Sequence, residues 1–513
     1  MPIERPTASA LAQIAAGYGL EVTPADLEHY RVAADDSMAA WDLVEALYAE
    51  HAPTPPNRTW ICPSENDNPW GAWFVRTEIQ ERSDGPLAGR RVVIKDNTSV
   101  AGVPLMDGST MLDGFIPRED ATVVSRLLAA GAVIVGKSVC EDLCMSAGSH
   151  TSKTGPVRNP WDPSRSAGGS SSGSGVLVAT GEADLALSGD QGGSIRIPAA
   201  WLGVVGHKPT WGLVPYTGAV PVELSLDHLG PSARTVTDVA QMLTVLAGAD
   251  GLDPRQTSSI EATDYAARLG DGVAGLRVGV VVEGFGQVNS EPEVDETVRA
   301  AIERLRSAGM AAEEVSVPWH SNAPALFSVI AFEGALSQLV DGNTFGSGWK
   351  GRYDPELMAH YGARWQADPA GFSESVQLTM LAGRHARNSA HGRYYAMARN
   401  LERTLAAAYD AALRDYDVLV MPTSPIRATP LPDPGASVLE VLARGTEMLA
   451  NTAAFDVTGH PACSVPAGIA GGLPVGMMIV GRNFEDATVL RVARAFEAEV
   501  GGFPRPNRSE GDA

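Results

Sequence analysis

Apolar residues recur at helical spacing along the N-terminal part of the chain, between positions 7 and 50. They include Leu11, Ile14, Ala15, Leu27, Tyr30, Met38, Trp41, Leu43, Val44 and Leu47, with acidic residues between them. The segment PTPPN at 53–57 ends the pattern, because proline does not continue a helix. We therefore predict a helical appendage over 1–52 and a connecting segment over 53–85. An appendage with so many apolar residues needs a partner, either the rest of the chain or a second subunit.

A different pattern begins near residue 86, where short β-rich runs alternate with helix-like stretches. It predicts strands at 91–94, 132–135, 183–188, 276–282, 417–421, 463–466 and 476–480, and helices at 122–130, 176–180, 293–308 and 486–500. No repeat or long linker divides this region, so we predict one α/β domain over 86–505 with a large mixed sheet covered by helices. The helices of 320–400 are expected to form an insertion over the site, and the polar tail 506–513 to fray.

Composition and charge narrow the class of protein. The chain has 513 residues, of which 44% are hydrophobic and 19% charged, which is typical of a globular protein with an ample core. Its formal net charge of −22 argues against nucleic-acid and anionic-membrane partners, which need clustered lysine and arginine. No apolar run reaches the length of a membrane span. The N-terminal stretch lacks the basic and apolar regions of a signal peptide, so we expect a cytoplasmic protein.

The four cysteines are too few for a disulfide framework. Cys140 and Cys144 lie four residues apart, but a metal site would need more ligands, and His150 alone is a poor addition. We therefore expect buried thiols and predict no metal.

Two segments rich in serine and glycine carry the strongest chemical signal, GGSSSGSG at 168–175 and GDQGGS at 189–194. Glycines at this density allow positive φ and let backbone N–H groups approach a ligand closely. Hydroxyls among such donors indicate chemistry on an oxyanion with serine as nucleophile.

Two other interpretations of the first segment are less favoured. A phosphate-binding loop would end in Gly-Lys-Ser/Thr, and a dinucleotide fingerprint would follow a strand directly, so a nucleotide-binding module fits poorly. Residues 169–173 match G-x-S-x-G, the nucleophile elbow of α/β-hydrolases, but the loop NPWDPSRSA precedes them where that elbow needs a strand.

A serine nucleophile needs a base, and two lysines are candidates. Lys95 ends the apolar run RVVIK, and Lys137 follows an equally apolar run. Burial favours the neutral form of a lysine, which can accept a proton. The spacing alone does not choose between them.

Three stretches together resemble the amidase signature family: IKDN at 94–97, GGSSSG at 168–173 and DQGGSIRIPA at 190–199. Further similar stretches are GPVRNPW at 155–161, GHKPT at 206–210 and GHPACSVPAG at 459–468. The resemblance runs from about 86 to 500 and implies the amidase signature fold. The chain is most similar to the broad-specificity, enantioselective bacterial amidases associated with nitrile hydratases, which also fits its N-terminal helical extension.

The resemblance implies a Ser–cis-Ser–Lys triad, with Ser194 as nucleophile, Ser170 as the cis-serine and Lys95 as base. It places the oxyanion hole in the backbone of the turn formed by Gln191, Gly192, Gly193 and Ser194. Asp190 and Arg196 would support these turns, although an ordinary local ion pair explains them nearly as well.

The resemblance also suggests candidate substrate-binding residues, Cys144, Met145 and Phe327, for each of which core packing is an equal alternative. The expected reaction is hydrolysis of a small-molecule carboxylic acid amide to acid and ammonia, with no cofactor, in a homodimer. Aryl acylamides, carbamates or esters are alternative substrates for the same triad. An amidotransferase subunit is less favoured because of the helical extension and the acidic charge.

Overall fold

The computed structural model describes residues 3–257, 260 and 263–506. Nearly all of the predicted frayed tail, residues 507–513, lies outside the described residues. The chain divides into two compact units, Met1–Pro56 and Asn57–Ala513.

The N-terminal unit consists of two helices, α1 (Ala8–Gly17) and α2 (Pro24–His51). Each begins at a threonine whose hydroxyl accepts a backbone N–H, Thr7 from Ala10 and Thr23 from Asp26. None of the described residues in these two helices is buried. Apolar side chains therefore remain exposed along both, including Ile14, Tyr30, Trp41, Leu43 and Val44.

The second unit is built on a sheet of twelve strands that runs in the order β1-β2-β4-β3-β7-β9-β8-β13-β14-β12-β10-β11. The strands, with the separate pair β5 and β6, are β1 (Trp60–Ile61), β2 (Trp73–Ile79), β3 (Arg91–Lys95), β4 (Val133–Ser138), β5 (Arg158–Asn159), β6 (Asp162–Ser166), β7 (Leu185–Asp190), β8 (Val205–Lys208), β9 (His228–Ala233), β10 (Arg277–Val281), β11 (Ala311–Val315), β12 (Val418–Pro422), β13 (Ala462–Ala470) and β14 (Leu473–Val480). Strand β3 is parallel to β4 and β7, β10 is parallel to β11 and β12, and the other pairs are antiparallel. The predicted α/β class with a large mixed sheet is confirmed.

Helices cover the sheet. They are α3 (Thr122–Ala129), α4 (Ser172–Thr180), α5 (Arg196–Leu202), α6 (Val236–Leu246), α7 (Pro292–Ser307), α8 (Ala323–Ala335), α9 (Pro355–Ala367), α10 (Glu374–Leu378), α11 (Arg384–Ala390), α12 (Arg393–Asp415), α13 (Val438–Thr446), α14 (Ala453–Thr458) and α15 (Asp486–Glu499). Two π-helical turns, Leu336–Asp341 and Thr379–Gly383, continue α8 and α10.

The sheet begins before the predicted boundary at residue 86. Strand β2 lies within the predicted connecting segment 53–85, and it pairs antiparallel with β4. Its side chains alternate, with Trp73, Val75 and Ile79 buried and Arg76 exposed. This alternation is the signature of a strand with one covered face, so the segment contributes to the sheet as well as connecting to it.

Strands β3 and β7 lie side by side in the sheet. Val92, Ile94, Leu185 and Leu187 on these strands are fully buried. Both strands are buried on their two faces, which explains why their sequences are nearly continuous apolar runs. Because they are parallel, their carboxyl ends lie at the same edge of the sheet.

Candidate active site

The edge formed by β3 and β7 brings together three segments that are far apart in sequence. Strand β3 ends at Lys95, and β7 ends at Asp190, directly before the turn that carries Ser194. Ser170 lies just before α4, and α4 packs on both strands. The crevice at the carboxyl ends of parallel strands is a common place for a site in α/β proteins.

Lys95 and Ser170 are in direct contact. The Lys95 Nζ lies 2.8 Å from the Ser170 Oγ and 3.4 Å from the Gly189 carbonyl oxygen, and both side chains are fully buried. The Gly169–Ser170 peptide bond is cis. Among the described residues, no carboxylate pairs with Lys95. The lysine is therefore placed to exchange a proton with the serine hydroxyl.

Lys137 has a different environment. Its Nζ lies 2.9 Å from the Asp96 Oδ1 in a buried ion pair. The other oxygen of Asp96 accepts hydrogen bonds from the Met106 and Asp107 backbone N–H groups. Burial raises the pKa of Asp96 to about 6, and the charge of Lys137 opposes that rise. Of the two candidate lysines, only Lys95 contacts a serine hydroxyl.

The turn after β7 is held in one conformation. The Gly193 N–H donates to the Asp190 Oδ1 at 2.5 Å, and the Thr452 hydroxyl donates to the Gly192 carbonyl at 2.6 Å. Gly193 has φ +139°, and a Cβ there would lie 2.4 Å from the Thr452 Oγ1, so only glycine fits.

Of the backbone N–H groups predicted to bind the oxyanion, one is already hydrogen-bonded within the protein, and two have no acceptor among the described residues. The N–H of Gly193 already donates to Asp190, so it is engaged within the protein. In the part of the chain that the structure describes, no protein acceptor takes the N–H of Gly192 or Ser194. These two donors remain free beside the Ser194 side chain, which lines a cavity.

Asp190 and Arg196 form a buried network that includes Asp456. The Arg196 guanidinium donates to both oxygens of Asp190, at 2.9 and 3.0 Å, and to the Asp456 Oδ2 at 2.6 Å. A further donation at 2.8 Å to the Thr452 carbonyl fixes the same segment that holds Gly192. Burial alone would raise the pKa of Asp190, but the charge and hydrogen bonds of Arg196 hold it well below its usual range. The pair is a fully buried support of the turn, unlike a surface ion pair.

Ser194 opens into a cavity of about 690 Å³. All three predicted substrate-binding residues, Cys144, Met145 and Phe327, line it together with Gln191 and Gly192. Phe327 packs over the turn, since a Cβ on Gly192 would lie 2.7 Å from its Cζ. Helices α8, α10 and α13 supply much of the remaining wall.

Gln191 points a polar group into this environment. Its Nε2 donates to the Tyr216 hydroxyl at 3.1 Å. Its Oε1 is buried and has no hydrogen-bond partner within the described parts of the chain. A buried acceptor without a partner is costly and is suited to a donor on a bound molecule.

Cys144 lies between the cavity and the buried side chains of Lys95 and Ser170. Burial opposes ionisation of its thiol, but the hydrogen bond to Cys140, the charge of Lys95 and a hydrogen bond to Ser170 lower its pKa to about 5. Its sulfur also lies 3.4 Å from the Asp107 Oδ1. The residue that was predicted as pocket wall therefore also interacts electrostatically with Lys95 and Ser170.

Sequence reasoning missed Thr452, Asp456, Tyr216 and Asp107. Asp456 lies in the apolar stretch AAFDVTG, where an isolated carboxylate indicates a buried partner. That signal does not name the partner, because Arg196 is 260 residues away.

The Amidase family profile matches residues 43–490. The chain belongs to the amidase family. This confirms the family that the serine, glycine and lysine motifs predicted. The chain is also 52% identical over 489 residues to an enantioselective amidase of Rhodococcus rhodochrous, covering 94% of each chain.

Solved structures of amidase-family proteins have the same fold. A glutamyl-tRNA(Gln) amidotransferase subunit from Thermotoga maritima superposes with a TM-score of 0.70 and 31% identity, covering 86% of this chain and 91% of that one. The peptide amidase of Stenotrophomonas maltophilia gives a TM-score of 0.69 and 31% identity, over 82% and 85% of the two chains.

Proposed function

We propose that this amidase-family enzyme hydrolyses carboxylic acid amides to the acid and ammonia, through an acyl-enzyme on Ser194. The observation that supports this most is the 2.8 Å contact between the Lys95 Nζ and the Ser170 Oγ, beside a turn that presents Ser194 to a cavity. A serine hydroxyl is a weak nucleophile unless a base takes its proton, and this pair can do so through a relay.

The relay assigns one step to each group. Lys95 accepts the proton of Ser170, and Ser170 accepts that of Ser194 as the Ser194 oxygen attacks the amide carbon. Ser170 then returns a proton to the leaving nitrogen, and ammonia departs from the acyl-enzyme. Water attacks the acyl-enzyme through the same relay and releases the acid.

The oxyanion formed by that attack would be bound by the free N–H groups of Gly192 and Ser194. Donors fixed before the reaction stabilise developing charge without reorganisation, and the loss of one costs about 10²–10³ in kcat. The contacts of Asp190 with the Gly193 N–H and the Ile195 N–H keep the turn in the required conformation.

The leaving group would be recognised by Gln191. Gln191 lines the same cavity as Ser194, and its buried Oε1, unpartnered among the described residues, can accept a hydrogen bond from an amide N–H. An ester offers no such donor and would leave this acceptor buried and unsatisfied. This favours primary amides over esters of the same acid.

The acyl group would lie against an apolar wall that includes Cys144, Met145, Phe327 and Leu226. The cavity of about 690 Å³ has room for aromatic as well as aliphatic groups. Because an apolar wall discriminates by only about 1–3 kcal/mol per methylene, we expect propionamide and benzamide to be hydrolysed with comparable efficiency.

The test follows ammonia and amine release separately on propionamide, benzamide, acetanilide and a carbamate. Ser194→Ala should abolish turnover and labelling by a serine-directed fluorophosphonate while the protein stays folded. Ser172→Ala is the matched control, because Ser172 lies in the same serine-rich segment but its hydroxyl contacts the Val139 carbonyl. Turnover by folded Ser194→Ala would refute the mechanism. Exclusive cleavage of the anilide or carbamate would keep the triad and change the substrate class.

We also infer a homodimer that associates through the exposed apolar side chains of α1 and α2. Light scattering should give twice the chain mass for the full protein, and Trp41→Lys with Val44→Lys should shift it toward the monomer. An unchanged mass in that variant would contradict the assignment.

We further infer a cytoplasmic location. The expectation that no apolar run reaches the length of a membrane span is wrong, because one described helical stretch, Pro318–Asp341, is long and apolar enough. However, 50% of its most apolar window is buried inside the fold, as in a core helix. Cell fractionation tests the location, and recovery of the protein with membranes would contradict it.

A further inference from the structure

We infer that Asp107, Cys140 and Cys144 form a binding site for a thiophilic divalent cation, and that occupation of this site inhibits the enzyme. The three side chains are buried, and their ligand atoms all lie within 4.8 Å of one another. The fold brings Asp107 to the two cysteines from 33 residues upstream of Cys140.

The spacing of the ligand atoms fits a small tetrahedral cation. The Cys140 Sγ lies 3.3 Å and the Cys144 Sγ 3.4 Å from the same oxygen of Asp107. A tetrahedral zinc ion with sulfur at about 2.3 Å and oxygen at about 2.0 Å separates sulfur and oxygen by roughly 3.5 Å. The ligands could therefore close on a cation with small side-chain movements. Two thiolates and one carboxylate favour zinc or cadmium over magnesium or calcium.

A second observation points to a missing ligand. The Asp107 Oδ2 is buried and, among the described residues, has no hydrogen-bond partner. Buried polar atoms are normally satisfied, because an unpaired one costs free energy. The two thiols, which are weak donors, both contact the other oxygen, Oδ1. A cation would satisfy the carboxylate far better than either thiol does.

The cation has an entry path. Cys144 lines the cavity that Ser194 opens into, whereas Asp107 and Cys140 are fully buried and contact Cys144 or its partner Asp107 from inside the fold. Binding would replace the protons that the two cysteine side chains still carry with metal–sulfur bonds and release those protons to solvent.

Inhibition follows from the neighbours of Cys144. Cys144 lines the same cavity as Ser194, and its thiol interacts with the charge of Lys95 and the hydroxyl of Ser170. Three protein ligands leave a tetrahedral cation one open position, which a neutral amine or a hydroxyl can fill. A lysine nitrogen bound to a cation has no lone pair left to accept the proton of Ser170, so the relay would stop.

Binding is tested with cadmium on the full-length protein, reduced and freed of metal. Equilibrium dialysis and the ultraviolet sulfur-to-cadmium charge-transfer band report binding independently of catalysis. We expect one cadmium ion per chain, with affinity reduced at least tenfold in Cys140→Ser. Asp107→Asn keeps both thiols and provides a second variant if Cys140→Ser does not fold. Cys62→Ser, which removes an exposed thiol, and Cys463→Ser are matched controls that should bind like the natural sequence.

The inhibition arm alone rests on the proposed function. Cadmium should abolish amide hydrolysis at one equivalent, and a chelator should restore it. Equal affinity in Cys140→Ser and the natural sequence, or loss of binding in Cys62→Ser, would overturn the site. Binding of one equivalent with undiminished turnover would overturn the inhibition. A protein without amidase activity that still binds cadmium would refute the proposed function and leave the site intact.

Discussion

Replacing each buried lysine by methionine should separate catalysis from stability. Lys95→Met removes the contact with the Ser170 hydroxyl, whereas Lys137→Met removes the partner of Asp96. Methionine keeps much of the side-chain volume, so neither change creates a large cavity. Lys95 is the last residue of β3 and Lys137 the last but one of the neighbouring parallel strand β4, which makes each variant the control for the other.

We expect Lys95→Met to lose mainly activity and Lys137→Met to lose mainly stability. Loss of the base in Lys95→Met should lower kcat by about 10²–10⁴ and cost only about 1 kcal/mol of stability for each hydrogen bond lost. Loss of one partner of a buried ion pair in Lys137→Met should cost about 3–5 kcal/mol. Its kcat per folded molecule should stay within a few-fold of the natural value.

The stability loss in Lys137→Met should depend on pH. Burial raises the pKa of Asp96 to about 6 even with Lys137 present, from 3.8, and the variant should raise it further. A carboxyl group whose pKa is higher in the folded state than in the unfolded state lowers the stability of the folded protein as pH rises through the folded-state pKa. The deficit relative to the natural protein should therefore grow between pH 5 and pH 8.

The assay combines ammonia release under saturating amide with urea unfolding of both variants at pH 5 and pH 8. An inactive but folded Lys137→Met, together with a Lys95→Met that keeps turnover within tenfold, would refute the assignment of the base. A deficit that shrinks with rising pH would refute the account of Asp96.

Two further predictions concern the turn and its support, and a third concerns the buried Lys208 on β8. Asp190→Asn should lower kcat at least tenfold with little change in KM. An unchanged kcat in steady-state kinetics would mean that Asp190 only stabilises the fold through its pair with Arg196. Gly192→Ala places a Cβ 2.7 Å from the Phe327 Cζ, so it should raise KM for benzamide more than for propionamide; Phe327→Ala in the same chain should restore benzamide, and failure to do so would locate the clash elsewhere. Burial lowers the pKa of Lys208 from 10.5 to about 8, because the charged ammonium is poorly solvated inside the fold. As pH rises, Lys208 loses its proton and no longer destabilises the folded state. The stability of the natural protein relative to Lys208→Met should then increase by up to about 3 kcal/mol between pH 8 and pH 10.5 in urea unfolding, and a flat difference would contradict the shift.

Local sequence patterns predicted the elements that carry chemistry better than those that complete the sheet. Strands β3 and β7 begin as apolar runs, so their positions were predictable, although the predicted strands 91–94 and 183–188 end before the observed ends at Lys95 and Asp190. Strand β2 was missed because charged residues alternate with its apolar ones, and prolines and glycines surround it. Its partner β4 is more than fifty residues away, and periodicity carries no information about such pairing.

The choice between Lys95 and Lys137 shows the same limit. Both residues follow equally apolar runs, and both are completely buried. What distinguishes them is whether a carboxylate or a hydroxyl lies opposite, which depends on how β3, β4 and the loop before α4 meet. Only the folded arrangement contains that information.

The division between chemistry and specificity in this site has a structural origin. The groups proposed to react lie on strand ends and on a turn held by Asp190, Arg196 and Thr452, where a small displacement would disrupt several hydrogen bonds at once. The cavity wall comes instead from α8, α10 and α13, whose side chains contact the substrate space without taking part in that network. A rigid network tolerates few residues, so it leaves a recognisable motif in the sequence, whereas an apolar wall accepts many side chains and leaves none. Substrate preference can therefore change through Phe327 and its neighbours while the proposed acylation chemistry at Ser194 stays the same.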